Sequence, residues 1–495
     1  MAAPHARGVG QGVSEHFPRI ASLRTPAQLR ARLAALGLDL PCDDAIESFA
    51  GAPLAAPLAL GAGPHRPIVA PNRFVVQPME GWDATPAGLP TDLTTRRWRR
   101  FGASGAGWIW GAEAAAVQPN GRANPHQLVV SERSVPALAK LREDLLAEAA
   151  RCGHAQPVVG LQLTHSGRWS MPEPGVRRPR VAYRHPILDR RVGIDSDAAL
   201  LSDAEVDELI ADFARAAAFA QQAGFAFVDL KHCHGYLLHE FLSARTRSGR
   251  FGGPSLADRS RLMHAIIAAV RSAAPALGIG VRLSAFDVVP HRRGASGDGE
   301  PEAHALPYHC GFGIDADDPA RIDLREPIAL VRELVVTGVR WINVTAASPY
   351  YAPHAQRPAL FPPSDGYPPP EDPLVGVARL LAAARAIKAA VPEAVVVSSG
   401  WTYLQQWIPH VAQACLRAGH FDAVGLGRMM LSYPQLPADA LAGRALARKL
   451  LCRTFSDCTT APRNGLVSGC YPLDDFYRQR PEHATLEAAK RALHP

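Results

Sequence analysis

Residues 201–232, "LSDAEVDELIADFARAAAFAQQAGFAFVDLKH", decide the fold. Ser202 and Glu205 stand at capping-box spacing, an Ala-rich helical pattern follows, and Gly224 ends it. The chain then enters "FAFVDLKH" (225–232), an apolar run with a strand's composition. A helix feeding a buried strand is the repeating unit of a parallel sheet. Seven further runs have the same character: "RFVVQPM" (73–79), "GWIWGAEA" (107–114), "PVVGLQLT" (157–164), "GIGVRLSA" (278–285), "VRWINVTA" (339–346), "AVVVSSG" (394–400) and "FDAVGLGR" (421–428). Ala, Leu and Arg patterns of helical period fill 134–153, 255–274, 373–391 and 402–419. Eight strand and helix units predict an α/β fold, a (β/α)8 TIM barrel.

The length of 495 residues suits one barrel with appendages. Residues 1–52 are read as an N-terminal extension with one helical stretch, "TPAQLRARLAALGL", residues 53–450 as the barrel, and residues 451–495 as a C-terminal tail. A polar insertion (287–325) follows the fifth strand, and the Pro-rich "SPYYAPHAQRPALFPPSDGYPPPEDPL" (348–374) follows the sixth. Both leave strand C-termini, where such barrels keep their active sites. The Pro-rich loop is expected to be a stiff lid or pocket wall, with a solvent-facing excursion as the alternative.

Composition narrows the function classes. The 53 basic and 46 acidic residues leave +7, and no run of five like charges occurs, so no nucleic-acid partner is expected. The N-terminus lacks the apolar core of a signal peptide and no run has the length of a membrane span, so the expectation is a soluble, cytoplasmic protein with no membrane partner. Eight dispersed cysteines read as reduced thiols. The expected partner is a small-molecule substrate, and a homo-oligomer is left open.

The strand ends carry the chemistry. The first ends in Pro78, Met79 and Glu80, the second in Glu113, the third in Gln162 and His165, and the fourth in Lys231, His232, His234 and Tyr236. Arg282, Thr345, Ser398, Ser399 and Gly400 follow on strands five to seven, and Gly425, Gly427 and Arg428 on the eighth. Small residues beside Gly-x-Gly-Arg offer backbone N–H groups and a guanidinium to one spot, which suits a phosphate. With Gln162 and Arg282 added, the list describes a site for a flat, polar, phosphorylated ligand, and flavin mononucleotide (FMN) fits. On the residues alone, Arg282 serves equally well as the partner of a neighbouring carboxylate. Lys231 is one of only five lysines, which favours a functional role over a strand-end ion pair with Glu80 or Glu113. His232 points to the other face as a core histidine, and Cys233 reads as a packed hydrophobe.

Taken together, "NRFVVQPMEG", "GLQLTHSGR", "GFAFVDLKHCHGYLLHEFLSARTRSGRFGG", "VRLS" and "AVGLGRMML" resemble the Old Yellow Enzyme family of FMN-dependent NAD(P)H oxidoreductases. The resemblance implies non-covalent FMN held by Pro78, Met79, Glu80, Ala112, Gln162, Arg282, Ser399, Gly400, Gly425, Gly427 and Arg428. It also implies catalysis by Lys231 and His234, in the places of the family's His-x-x-His or His-x-x-Asn, and by Tyr236 as proton donor. NAD(P)H would deliver hydride, and an α,β-unsaturated carbonyl compound would receive it, in ping-pong order. In the Pro-rich loop, Tyr350, Tyr351 and His354 are read as substrate-binding.

The chain departs from the family pattern in four places. Glu80 replaces the usual Thr or Cys and is expected to face Lys231; Arg245 and Gly249 replace Asn and Asp; Lys231 itself replaces a histidine. Cys458-x11-Cys470 keeps the spacing of the last two cluster cysteines of iron–sulfur relatives, but Leu451 and Thr454 fall in the other two places and Cys452 is out of register. Neither an iron–sulfur cluster nor another metal is therefore expected. Two alternatives stand beside the reductase: a flavin-dependent amine dehydrogenase or N-demethylase, and a non-catalytic flavin-binding subunit of a complex.

Overall fold

The computed structural model describes residues 17–62 and 67–493, so the first 16 residues, on which the signal-peptide expectation rests, lie outside it. Eight parallel positions close a (β/α)8 barrel: Phe74–Val76, Trp108–Ile109, Val158–Thr164, Phe227–His232, Gly278–Ser284, Trp341–Thr345, Val395–Ser398 and Ala423–Leu426. The eighth pairs back onto the first, Gly425 opposite Val75. All eight expected strands are present.

The second differs from expectation. It stops at Ile109, and a separate segment, Ala114–Ala116, continues beside the third strand with Ala114 opposite Gln162. The cause is local. Gly111 (φ 143°) lies so close to the third strand that a Cβ there would sit 2.7 Å from the Gln162 nitrogen, and Ala112 follows at φ 47°. The strand detours around Gln162 and resumes above it.

The barrel interior is filled by large residues set against glycines. Trp108, Trp110, Phe227 and Trp341 pack edge to face with centroids 5.3–5.7 Å apart, save the tilted Trp108–Trp110 pair at 4.6 Å. Added Cβ atoms at Gly160, Gly278 and Gly280 would strike the rings of Phe227, Trp341 and Trp110 at 2.3, 2.5 and 2.9 Å. These glycines are there for volume. An antiparallel hairpin, Leu58–Ala62 with Pro67–Ala70, plugs the bottom, and Leu60 accepts a hydrogen bond from the Trp341 indole (2.7 Å).

The helix opened by Ser202 spans Asp203–Gln222, and both halves of its capping box are made. The other expected helices are Val135–Arg151, Leu256–Ala273, Pro373–Ala390 and, in the seventh unit, Ile408–Arg417. The last begins late, because a 3-10 stretch (Trp401–Trp407) kinks at Gln405 (φ 51°, ψ −119°). Asp92–Gly102, dense in arginine, is a helix that apolar periodicity did not single out. The extension's helix, Pro26–Ala35, buries Leu29 and Leu33 on the barrel's flank and pairs Arg32 with Asp372. The tail returns over the barrel mouth through a short helix, Asp457–Arg463. Among the described residues no helix is long and apolar enough to cross a membrane.

Candidate active site

The C-terminal mouth of the barrel holds a cavity whose floor follows from strand alternation. Gln162, Lys231, Arg282 and Thr345 all point inward, with Lys231 opposite Arg282 in register. Below them Asp229, two residues before Lys231 on the same face, accepts from Gln162 Nε2. That bond turns the amide so that its oxygen faces the cavity. Burial pushes Asp229 up to about 7, against the opposing pull of the Gln162 bond and the Arg282 charge. Arg282 forms no ion pair with any described residue, and its Nε is buried without a hydrogen-bond partner. That leaves the Arg282 guanidinium on the cavity wall with no carboxylate partner among the described residues.

On one side of the cavity Lys231 Nζ donates to Glu80 Oε1 at 2.8 Å and lies 3.6 Å over the ring of Tyr236. The Tyr236 hydroxyl donates to Glu80, 3.1 Å from each oxygen, and accepts from the Tyr350 hydroxyl at 3.0 Å. Trp82 Nε1 donates to the other carboxylate oxygen at 3.0 Å. Glu80 is thus the hub of the wall, facing Lys231 as the departure from the family pattern suggested. Burial and the Glu80 charge hold the Tyr236 phenol well above its ordinary range, so it stays protonated.

His234 and Gly235 both take left-handed backbone (φ 67° and 72°), and this reversal swings the His234 ring back over the cavity. Its Nε2 lies 3.1 Å from the Gln356 amide nitrogen, which donates, and 3.3 Å from the Thr345 hydroxyl. Burial, then the charges of Arg282 and Lys231, hold its pKa well below the usual value. The lowered pKa favours the neutral ring, and a Gln356 amide donating to Nε2 corresponds to the tautomer with its proton on Nδ1.

Of the residues named from sequence, Pro78, Met79, Glu80, Gln162, Lys231, His234, Tyr236, Arg282, Tyr350, Ser399, Gly400, Gly425, Gly427 and Arg428 line this one cavity. Gly425 is glycine for a different reason from the one expected: a Cβ there would meet Gln77 Nε2 at 1.9 Å. At Gly427 the nearest atom would be 4.0 Å away, so the missing side chain leaves room for a ligand.

Three of the residues expected to bind flavin or substrate are not brought to the wall, and the strand-end residues His165 and Ser398 lie off it as well. Ala112 sits in the strand detour, where its carbonyl accepts from Met79 N (3.1 Å), and Ala114 takes its place on the wall. Tyr351 turns away to donate to Asp287 (2.8 Å), and His354 turns to the Tyr367 hydroxyl (2.9 Å). Glu113 lies outside the cavity too, paired with Arg97 and accepting from Gly81 N at 3.0 Å, a bond that steadies the loop carrying Glu80. His232 and Cys233 are buried, the imidazole against the Leu230 carbonyl. Sequence reasoning missed Gln77, Trp82, Gln356, Arg357, Trp401 and the tail's Cys458, Thr459, Arg463 and Ser468, all on the wall. Cys452 and Cys470 lie off the wall, and among the described residues no three His, Cys, Asp or Glu groups stand together to hold a metal.

The cavity's donor set is cationic and under-satisfied, with buried nitrogens of Arg282, Arg357 and Arg428 lacking partners. A flat, anionic, phosphorylated group fits it. The family model described as NADH:flavin oxidoreductase / NADH oxidase matches residues 66–327, more than half of the chain. The chain belongs to that family, the one its strand-end motifs resemble. Among curated proteins it is 32% identical over 204 residues to an NADPH dehydrogenase of Listeria monocytogenes, a match covering 40% of this chain and 56% of that protein. The chain therefore spans about half the length of that relative. Among solved structures it is similar to a 2-naphthoyl-CoA reductase complex with 2-naphthoyl-CoA (TM-score 0.64, 19% identity, 86% of this chain and 57% of that one). It is also similar to morphinone reductase in complex with tetrahydroNAD (TM-score 0.54, 20% identity, 79% and 91%). At these identities the structures bear on the fold alone.

Proposed function

We propose that the chain is an FMN-dependent oxidoreductase that takes reducing equivalents from NAD(P)H and reduces a C=C bond conjugated to a carbonyl. The observation that supports this best is the convergence of Lys231, His234 and Tyr236 on one side of a cavity floored by Gln162 and Arg282. When bound, FMN supplies the hydride acceptor and donor that no side chain can provide. Gln162 and Arg282 would hold the polar edge of its ring, and Ser399, Gly400, Gly427 and Arg428 its phosphate.

The protein's own part is to hold the substrate oxygen and deliver a proton. The Lys231 ammonium and the Nδ1–H of neutral His234 are the donors for a carbonyl oxygen gaining negative charge. Tyr236 carries the proton for the α carbon. As it gives that proton up, the ammonium over its ring balances the phenolate, and the hydroxyl of half-buried Tyr350 is placed to restore it. Glu80 fixes the position of Lys231 through their 2.8 Å ion pair, at the expense of making Tyr236 a weaker acid.

Anaerobic stopped-flow absorbance on the flavin-loaded protein tests this. NADH or NADPH should bleach the flavin band and a cyclic enone should restore it. Tyr236→Phe should slow the restoring half by about 10²- to 10⁴-fold and leave bleaching nearly unchanged. Bleaching by a methylated amine alone would instead select the oxidative alternative.

A further inference from the structure

Resting on that flavin reading, the structure assigns a second phosphate-binding residue: we propose that Arg357 of the Pro-rich loop and Arg428 clamp one phosphate monoester dianion, that of FMN, with Thr459 of the tail tethering Arg357. Arg428 stands in a motif the sequence offers for phosphate, whereas Arg357 belongs to no such motif.

The two guanidiniums are anchored on the same stretch of wall. Arg357 Nη1 donates to Thr459 Oγ1 at 2.5 Å, and Arg428 Nη2 donates to the carbonyl of Pro358, the residue after Arg357, at 3.1 Å. Both line the cavity wall. Each keeps one nitrogen sealed from solvent without a partner, Nη2 of Arg357 and Nη1 of Arg428, and neither forms an ion pair with a described carboxylate. The third arginine nearby, Arg463, is satisfied by Asp365 and by the Pro349 carbonyl (2.8 Å). Burial and the charges of Arg463 and Arg428 push Arg357 down to about 9. Two adjacent, desolvated cations with free donors repel one another until a doubly charged anion lies between them. Guanidinium forks match phosphate oxygens two at a time, and a monoester offers three oxygens and nearly two charges.

The tail therefore gains a purpose. Thr459 orients the clamp, so the tail helix would close the cofactor in rather than carry a cluster.

The test compares FMN with riboflavin, which lacks the phosphate, by fluorescence quenching on apoprotein, with melting temperatures alongside. Arg357→Gln should weaken FMN by about 10- to 100-fold and riboflavin by less than about twofold. Its apoprotein should melt no lower than the parent's, because an unpaired buried charge has been removed. Arg357→Lys, which keeps the charge but loses the fork, should fall between, as should Thr459→Val. Equal weakening of both flavins with a lower apoprotein melting temperature would make Arg357 a structural residue and overturn the proposal. Unchanged FMN affinity with loss of stabilisation by inorganic phosphate would assign the clamp to some other phosphate and overturn it too. If the parent binds neither flavin, the flavin reading itself fails.

Discussion

Two sets of buried and half-buried arginines divide the molecule. Beneath the loop carrying Glu80, Arg97 is held between Asp83 and Glu113, and under the third strand's exit Arg168 is held between Asp189 and Glu240 with the Tyr183 carbonyl at 3.1 Å. Around the cavity, Arg282, Arg357 and Arg428 have no carboxylate partner among the described residues, and a terminal nitrogen on each of Arg357 and Arg428 goes unused, whereas an unpartnered Nε occurs on Arg97 as well as on Arg282. Burial exacts a desolvation cost in both places, in full at Arg97, Arg168 and Arg282 and in part at half-buried Arg357 and Arg428. Where acids on the chain meet that cost the arginine is part of the fold, and where none does, the proposed function has a ligand meet it.

Removing the cation from the first set should produce the largest effect. Arg97→Met leaves Asp83 and Glu113 buried and unpaired, and urea unfolding should show a loss of about 3–5 kcal/mol. A loss under about 1 kcal/mol would erase the distinction. Arg282→Met should do the opposite: apoprotein stability unchanged or higher, and FMN affinity weaker by about 100-fold in a fluorescence titration. A fall in apoprotein stability with intact flavin binding would move Arg282 into the structural set.

The smallest effect concerns pH. Asp229, beside Arg282 yet not paired with it, titrates at about 7 in the folded chain, above the roughly 3.9 of an unfolded aspartate. The folded state therefore favours its neutral form. The stability this confers is complete below about pH 4 and is lost as pH rises through 7. Asp229→Asn should flatten that part of the pH dependence of apoprotein melting between pH 4 and 8. An unchanged slope would mean that Asp229 is ionised and paired after all.

The same division explains what was legible in the sequence. The barrel was, because each strand carries its own apolar run and stretches of helical period lie between them. The cavity floor was, because alternation on a parallel strand fixes which side chains point inward; Asp229 could have been found by stepping back two residues from Lys231. The lid was not. Tyr350, Tyr351 and His354 are near neighbours in one loop, yet the first reaches Tyr236 while the others turn to Asp287 and Tyr367, a choice made by partners 13 to 114 residues away. Glu113 stood among the strand-end groups as a possible partner of Lys231, and its actual partner Arg97 lies on a helix that apolar periodicity did not mark. Arg357 and the tail residues over the cavity have no local pattern either, since only folding brings Thr459 to the Pro-rich loop.

The central claim is that the unpaired cations mark the seat of a flavin mononucleotide. It is tested most directly by titrating FMN into the apoprotein while following flavin fluorescence and melting temperature together. Saturable quenching at one flavin per chain, with a melting temperature that climbs as the ligand is added, is the predicted result. Fluorescence that falls only in proportion to dilution, with a melting temperature that does not move, would contradict it.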